Sequence, residues 1–227
     1  MIKKIKIEDF NCICVASGFT DRVAYLLYPA VMPFKEEWLQ DLAMKHKVSI
    51  VVVYIPSDGW NDLLTPWPEP GETPDSPPFA GKSVTTMKII EKNILPETEK
   101  ILNLNIEATK DLFGVSLSGL FTLWQWLQYP LFDSITSLSG SFWYPGFLTW
   151  FEKQTVAHKT GKAYFLLGIK EPKAWIKEYR SVGVNTETIV DRLNNEGVPA
   201  YLQWVPGDHF ADPLGRLELA FSYLYSK

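Results

Sequence analysis

One serine of this chain lies where a short apolar strand is predicted to turn sharply into a helix. Residues 114–119 read Gly-Val-Ser-Leu-Ser-Gly, between the apolar pair Leu112 and Phe113 and an aromatic-rich stretch of helical pattern. Small residues are needed around such a turn because its backbone is strained and closely packed. The turn would hold the hydroxyl of Ser116 out of the sheet, where it can act as a nucleophile. A serine- and glycine-rich turn without chemistry is the alternative.

The turn departs at one position from the common pattern Gly-x-Ser-x-Gly. Ser118 occupies the place of the second glycine, and Gly119 follows it. Serine is the next smallest polar residue, so the turn remains sterically feasible. Whether Ser118 lowers activity stays open at this point.

A histidine near the C-terminus is the predicted general base. His209 follows the alternating, strand-like run 200–205 and precedes the final helix. In hydrolytic triads on parallel sheets the order is nucleophile, acid, histidine, and the histidine follows the last core strand. The other two histidines, His46 and His158, lie beside lysines and are predicted to be solvated.

The acid of such a triad should follow the penultimate strand. Glu171 is the first carboxylate after the predicted strand 163–168. There it would accept the proton on the far ring nitrogen of His209 and fix the tautomer. A surface pair with a neighbouring lysine, worth little, is the alternative. Three carboxylates are weaker candidates, two because they are predicted to face solvent and one because it adjoins the histidine: Asp191, Glu178 and Asp208.

Strand and helix patterns alternate, which predicts a doubly wound, mostly parallel α/β sheet with right-handed crossovers. Ligands of such sheets bind beyond the carboxyl ends of the strands, where Ser116, Glu171 and His209 are predicted to lie. The predicted strands are 2–7, 11–16, 22–29, 48–55, a strand ending at 113, 134–139, 163–168 and 200–205, and the predicted helices are 35–47, 83–103, 117–127, 186–193 and 213–225.

Length and composition favour one α/β domain over residues 1–227. The net charge of −4 is mild and no basic patch stands out, so nucleic acid is not an expected partner. Neither a signal-peptide pattern nor a membrane-length apolar stretch is present, so we expect a cytoplasmic protein without a membrane partner. Cys12 and Cys14 are too few for a zinc site, and we expect no metal and no other cofactor.

Tryptophan is unusually frequent, with nine residues, several of them in predicted loops. The proline-rich segment 58–79 follows the strand 48–55 and carries Trp60 and Trp67. Irregular loops of this length are usually functional or disordered. We therefore predict that Trp60, Trp67 and Trp143 line the substrate pocket. A stiffened surface loop and, for Trp143, a core position are the alternatives.

With these segments placed, the chain resembles the α/β-hydrolase superfamily and, more narrowly, its "putative esterase" group, which includes esterase D-type enzymes, feruloyl esterases and trilactone-siderophore esterases. The resemblance rests on residues 113–121, 137–143, 167–171 and 206–210, whereas the N-terminal half matches only in the order of its elements. It implies an α/β-hydrolase fold and the triad Ser116, Glu171 and His209. The chain is too short for a separate cap domain, which predicts an open site walled by loops.

The resemblance also implies hydrolysis of a small-molecule carboxylic ester through an acyl-enzyme on Ser116. The oxyanion would be bound by the backbone N–H of Leu117 and by a second amide after the strand 22–29, with Ala30 preferred to Val31. An acyltransferase on the same triad and a non-catalytic binding module of the same fold are the alternatives. The acyl and alcohol parts of the substrate stay undefined.

Overall fold

The computed structural model of the protein describes residues 1–73, 75–156 and 160–225. His158, which we predict to be solvated, lies outside the described residues. The chain divides into two compact units, residues 1–113 and 114–227. The prediction of a single domain stays a prediction.

Eight strands form one mixed sheet in the order β1-β2-β4-β3-β7-β8-β9-β10, and β5 pairs with β6. The strands are β1 (Ile2–Ile7), β2 (Phe10–Val15), β3 (Arg22–Pro29), β4 (Ser49–Ile55), β5 (Pro68–Glu69), β6 (Phe79–Ala80), β7 (Thr109–Val115), β8 (Ser134–Leu138), β9 (Ala163–Gly168) and β10 (Ala200–Val205). The α-helices are α1 (Glu36–His46), α2 (Trp60–Leu63), α3 (Ser83–Ile89), α4 (Leu95–Leu102), α5 (Leu117–Gln128), α6 (Phe147–Phe151), α7 (Val182–Asn195) and α8 (Pro213–Tyr225). The predicted mostly parallel α/β sheet is confirmed.

The first unit is built on strand β4, all of whose residues are buried. β-Branched residues dominate this strand, and a strand that is covered on both faces needs no polar alternation. It pairs in parallel with β3 and antiparallel with β2. Strand β1 pairs only with β2 among the described strands, and its three lysines suit an edge that must not pair with another chain.

The second unit aligns the carboxyl ends of three strands. β8 pairs with β9, and β9 with β10, each in parallel. Helix α5 is buried at ten of its twelve positions, and most of these positions carry apolar residues. The three strands are followed in turn by Ser139, by the loop of Glu171 and by the loop of His209. This is the edge at which the sequence predicts the triad.

Several predicted boundaries differ from the structure. The predicted helix 83–103 is divided by a π-helical stretch at 90–94, next to Pro96, which cannot donate a helical hydrogen bond. Helix α7 begins four residues before the predicted 186–193, and α6 was not predicted. Segment 58–79 is less irregular than predicted, since it contains α2 and the β5–β6 pair. His46 is half-buried rather than solvated. No helix of the described residues has the length and apolar character needed to cross a bilayer.

Candidate active site

Ser116 lies at a strained position between β7 and α5. Its φ of 55° and ψ of −122° are sparsely populated for a residue with a side chain, so the surrounding packing has to hold it there. The two flanking glycines leave no room for a side chain. A Cβ on Gly114 would lie 2.2 Å from the Ser118 carbonyl oxygen, and one on Gly119 would lie 2.7 Å from Ser137 Oγ. The local sequence therefore builds the sharp turn predicted around Ser116.

Ser118 stabilises this turn. Its hydroxyl accepts a hydrogen bond from the Val115 N–H at 2.7 Å and donates one to the Val115 carbonyl at 2.8 Å. The side chain is fully buried, so it is not available as a second nucleophile. The departure from the common glycine pattern thus adds two hydrogen bonds without displacing the turn.

Glu171 and His209 are brought together by the parallel pairing of β9 and β10. The two loops continue that pairing, since Ile169 N–H donates to Val205 O at 2.9 Å and Lys170 N–H donates to Gly207 O at 3.0 Å. His209 Nδ1 then lies 3.0 Å from Glu171 Oε2. The carboxylate is 6% exposed, whereas the imidazole is half-buried. An acid oriented on one ring nitrogen, with the other nitrogen left for chemistry, is the arrangement of a general base.

The second carboxylate oxygen of Glu171 is held by the protein. Glu171 Oε1 accepts hydrogen bonds from the Gly168 N–H at 2.6 Å, from Ser139 Oγ at 2.7 Å and from Arg216 Nη1 at 3.4 Å. Burial alone would raise the pKa of this carboxyl, but the hydrogen bonds from His209, Gly168 and Ser139 hold the pKa below its ordinary value of 4.5. Glu171 is therefore ionised at neutral pH.

The hydroxyl of Ser116 is oriented toward another serine. Ser116 Oγ lies 3.4 Å from Ser141 Oγ, and the Ser141 N–H donates to the Ser116 carbonyl at 3.1 Å. Among the described residues, no hydrogen bond joins Ser116 Oγ to the His209 ring. Such bonds are often long in unliganded sites and tighten when substrate binds. In the structure Glu171 thus contacts His209, whereas the Ser116 hydroxyl contacts Ser141.

The rival acids do not contact the histidine. Asp191 lies on the exposed face of α7, and Glu178 is exposed in a short 3-10 helix. Asp208 is exposed as well, and its Oδ1 accepts the Phe210 N–H at 3.1 Å. Of the four carboxylates considered from the sequence, Glu171 alone is placed beside the imidazole.

The backbone N–H groups of the two predicted oxyanion donors differ in whether they already donate a hydrogen bond. Leu117 is the first residue of α5, where backbone N–H groups have no acceptor within the helix. The Ala30 N–H, by contrast, already donates to the Ile55 carbonyl at 3.1 Å as an extension of the sheet. The preference for Ala30 is therefore not supported, since its donor is used. Val31, the second choice, is 72% exposed.

The predicted aromatic residues have different surroundings. Trp60 begins α2, Trp67 directly precedes β5, and both are half-buried. Trp143 is also half-buried, with its ring centroid 4.3 Å from that of Tyr179, so it is not a core residue. Their part in binding substrate stays a prediction.

Three site residues were missed from the sequence: Ser139, Ser141 and Arg216. The two serines belong to the run Ser-Leu-Ser-Gly-Ser at 137–141 and follow the last residue of β8, Leu138, at the carboxyl end of a parallel strand. That position was the available signal. No comparable signal in the sequence pointed to Arg216, because an arginine in the first turn of a helix is ordinarily solvated.

Metal ligands are not clustered in the described ranges: no three His, Cys, Asp or Glu side chains lie together in them as a metal ion would require. Cys12 and Cys14 are buried. Burial raises the pKa of the Cys12 thiol to about 12 and that of Cys14 to about 11. Neither forms the reactive thiolate at neutral pH.

The chain is similar to known proteins over most of its length. A family model described as "Putative esterase" matches residues 31–209. The protein YbbA of Bacillus subtilis, itself described as uncharacterized, is 25% identical over 150 residues, which are 65% of this chain and 60% of that relative. The chain thus spans less than two thirds of this curated relative.

Two solved structures have the same fold. An IroE-like serine hydrolase from Shewanella oneidensis is 18% identical, with a TM-score of 0.81 over 99% of this chain and 80% of that one. The siderophore hydrolase EstB from Aspergillus nidulans is 15% identical, with a TM-score of 0.72 over 99% of this chain and 94% of that one. At these identities the likeness establishes the fold, and the predicted α/β-hydrolase fold is confirmed.

Proposed function

Because this chain belongs to the "Putative esterase" family, a family of carboxylic-ester hydrolases on the α/β-hydrolase fold, we propose that it cleaves a small-molecule ester through an acyl-enzyme on Ser116. The observation that carries the proposal is the 3.0 Å contact between His209 Nδ1 and the buried, ionised Glu171. This contact supports His209 as the base, at the strand ends of the unit that also contains the strained serine.

The proton positions on His209 follow from Glu171. An ionised carboxylate only accepts hydrogen bonds, so the proton of the neutral imidazole resides on Nδ1. Nε2 then has a free lone pair. Glu171 in this way fixes the tautomer that can remove a proton from a hydroxyl, and it stabilises the imidazolium that results.

The proposed reaction begins when the Ser116 hydroxyl leaves Ser141 and turns to His209. Nε2 takes the hydroxyl proton as Ser116 Oγ bonds to the ester carbonyl carbon, and the carbonyl oxygen becomes an oxyanion. When the tetrahedral intermediate collapses, the C–O bond to the alcohol breaks and the imidazolium protonates the departing alcohol. Water then attacks the acyl-enzyme by the same steps and releases the acid and free Ser116.

The oxyanion needs donors that are already in place. We propose the Leu117 N–H as the first donor, because it directly follows the nucleophile and opens α5. The second donor stays a prediction from the sequence, the backbone N–H of Ala30 or, as the second choice, that of Val31. Only the backbone amide matters for this role, so the side chains at both positions are free to vary.

A panel of esters tests the proposed activity. It should contain aryl, sugar and lactone esters, and siderophore esters should be included because EstB is a siderophore hydrolase. The wild-type chain and Ser116→Ala are assayed in parallel, with and without an alcohol acceptor. We expect Ser116-dependent hydrolysis of at least one ester class. If the acyl group is transferred to the alcohol faster than the ester is hydrolysed, the chain is an acyltransferase. If no ester reacts, a binding module is favoured.

A further inference from the structure

Arg216 is the buried cation that contacts the acid and the histidine loop together. It is 4% exposed. Its Nη1 donates to Ser139 Oγ at 2.7 Å and lies 3.4 Å from both Glu171 Oε1 and the His209 carbonyl oxygen. Its Nη2 donates to the Asp208 carbonyl at 2.5 Å. One guanidinium therefore joins the ends of β8, β9 and β10.

The local sequence aims this side chain at the site. Asp212 and Pro213 start helix α8, with Asp212 Oδ1 accepting the Gly215 N–H at 3.1 Å. Arg216 is in the first turn, and long helical side chains point back toward the helix N-terminus, here toward the histidine loop. Gly168 makes room for it, because a Cβ at that position would lie 2.8 Å from Arg216 Nη2.

The guanidinium determines where the Ser139 proton goes. Arginine has donors only, so Ser139 Oγ must accept at 2.7 Å from Nη1. The single hydroxyl proton of Ser139 is then left for Glu171 Oε1, also at 2.7 Å. Because Oε1 is in this way occupied by donors, Oε2 is the oxygen that faces His209.

Packing alone does not account for an arginine here. Its Nε is buried and finds no acceptor within the described residues. A buried N–H without an acceptor is unfavourable, and an apolar side chain of similar length would avoid that loss. The contacts that the guanidinium does make are all to the acid, the serine behind it and the histidine loop.

We infer that Arg216 is a positioning residue of the catalytic site: through Ser139 it fixes the rotamer of Glu171, and through two carbonyls it fixes the loop that carries His209. The inference rests on the proposed function, because it concerns the same acid and base. Arg216 does not touch substrate, so its loss should lower kcat and leave KM almost unchanged.

Two substitutions and a matched control test this inference. Arg216→Lys keeps the charge but cannot reach Ser139 and Asp208 together, and Arg216→Gln removes the charge. Arg192 is the control, since its Nη1 and Nη2 also donate to two carbonyls, those of Phe151 and Gln154, at 2.5 Å each. We expect both Arg216 variants to lose roughly 10- to 100-fold in kcat, with KM within about threefold. Arg192→Lys should keep the wild-type kcat.

A double-mutant cycle separates positioning from a general structural role. If Arg216 acts through Glu171, Arg216→Lys should cost less than about threefold in kcat in a Glu171→Gln background. Equal losses in both backgrounds would overturn the inference, as would folded Arg216 variants with wild-type kcat. Should the Arg216 variants fail to fold, Ser139→Ala removes only the bridging hydroxyl and should lower kcat at least tenfold. A wild-type kcat for Ser139→Ala would overturn the inference too.

The outcomes for the inference and for the proposed function are distinct. An active wild-type chain with unaffected Arg216 variants contradicts the positioning role alone. A wild-type chain that hydrolyses no ester contradicts the proposed function and, with it, the inference.

Discussion

Replacing Glu171 by glutamine tests the acid with almost no change in shape. In the wild-type chain, Oε1 is surrounded by donors from Gly168, Ser139 and Arg216. The glutamine carbonyl oxygen has to take that position, because its NH₂ group cannot accept hydrogen bonds. The NH₂ group then replaces Oε2 and points its hydrogen at His209 Nδ1, which lies 3.0 Å away.

This reversal of the hydrogen bond to His209 Nδ1 determines how much kcat the variant should lose. His209 Nδ1 has to accept, so the ring proton moves to Nε2 and the lone pair needed to deprotonate Ser116 is lost. Losing the correct tautomer in a hydrolytic triad lowers kcat by up to about 10⁴-fold. We expect at least roughly a hundredfold, or about 2.7 kcal/mol of transition-state stabilisation. Steady-state kinetics on p-nitrophenyl acetate measures this loss of activity. We expect it to appear in kcat rather than in KM.

Asp191→Asn is the matched control, an equally conservative change at the rival acid on the exposed face of α7. It should alter kcat by less than about twofold, because Asp191 is not in contact with His209. Thermal unfolding of both variants excludes a loss of fold as the cause. A large loss for Asp191→Asn with a small loss for Glu171→Gln would refute the reasoning and transfer the role of acid.

Four further predictions concern residues of the candidate site. Ser116→Ala should keep the melting temperature and lower kcat by roughly 10⁴-fold or more; hydrolysis near the wild-type rate would remove Ser116 from the mechanism. The value of kcat/KM should fall as the pH is lowered from about 8 to about 5, because His209 must be neutral to act as base. The lowered pKa of Glu171 means that the stability contributed by its ionised form is present above pH 4.5 and is lost only as the pH falls below that value. The difference in unfolding free energy between wild type and Glu171→Gln should therefore shrink as the pH falls below 4.5, and a difference that does not shrink down to about pH 3 would contradict this. Ser118→Ala should lower the free energy of unfolding by about 1–3 kcal/mol, since it removes the two hydrogen bonds between the Ser118 hydroxyl and the Val115 backbone, and chemical denaturation measures that loss against the wild-type chain.

The parts of the site that depend on local sequence were predictable. A serine between Gly114 and Gly119 indicates a turn too tight for side chains, and the structure has that turn. The proximity of Glu171 and His209 follows from a different regularity. Both come directly after neighbouring parallel strands, and the carboxyl ends of such strands meet at one edge.

The parts that depend on tertiary contacts were not predictable. Arg216 and Ser139 are 77 residues apart, and no spacing or pattern relates an arginine on the last helix to a serine after β8. The hydrogen bond from the Ala30 N–H to Ile55 was not predictable for a similar reason. Whether its N–H is free depends on how far β3 and β4 remain paired, and their register extends to Pro29 opposite Ile55.

The position of a covalent adduct tests the account's central claim most directly. The wild-type chain is treated with a fluorophosphonate, and the adduct is located by peptide mass spectrometry, with Ser116→Ala treated in parallel. We expect one equivalent of label on Ser116 and none on the Ser116→Ala variant. A label on Ser118 or Ser141, or no label on a chain that still hydrolyses esters, would contradict an acyl-enzyme on Ser116.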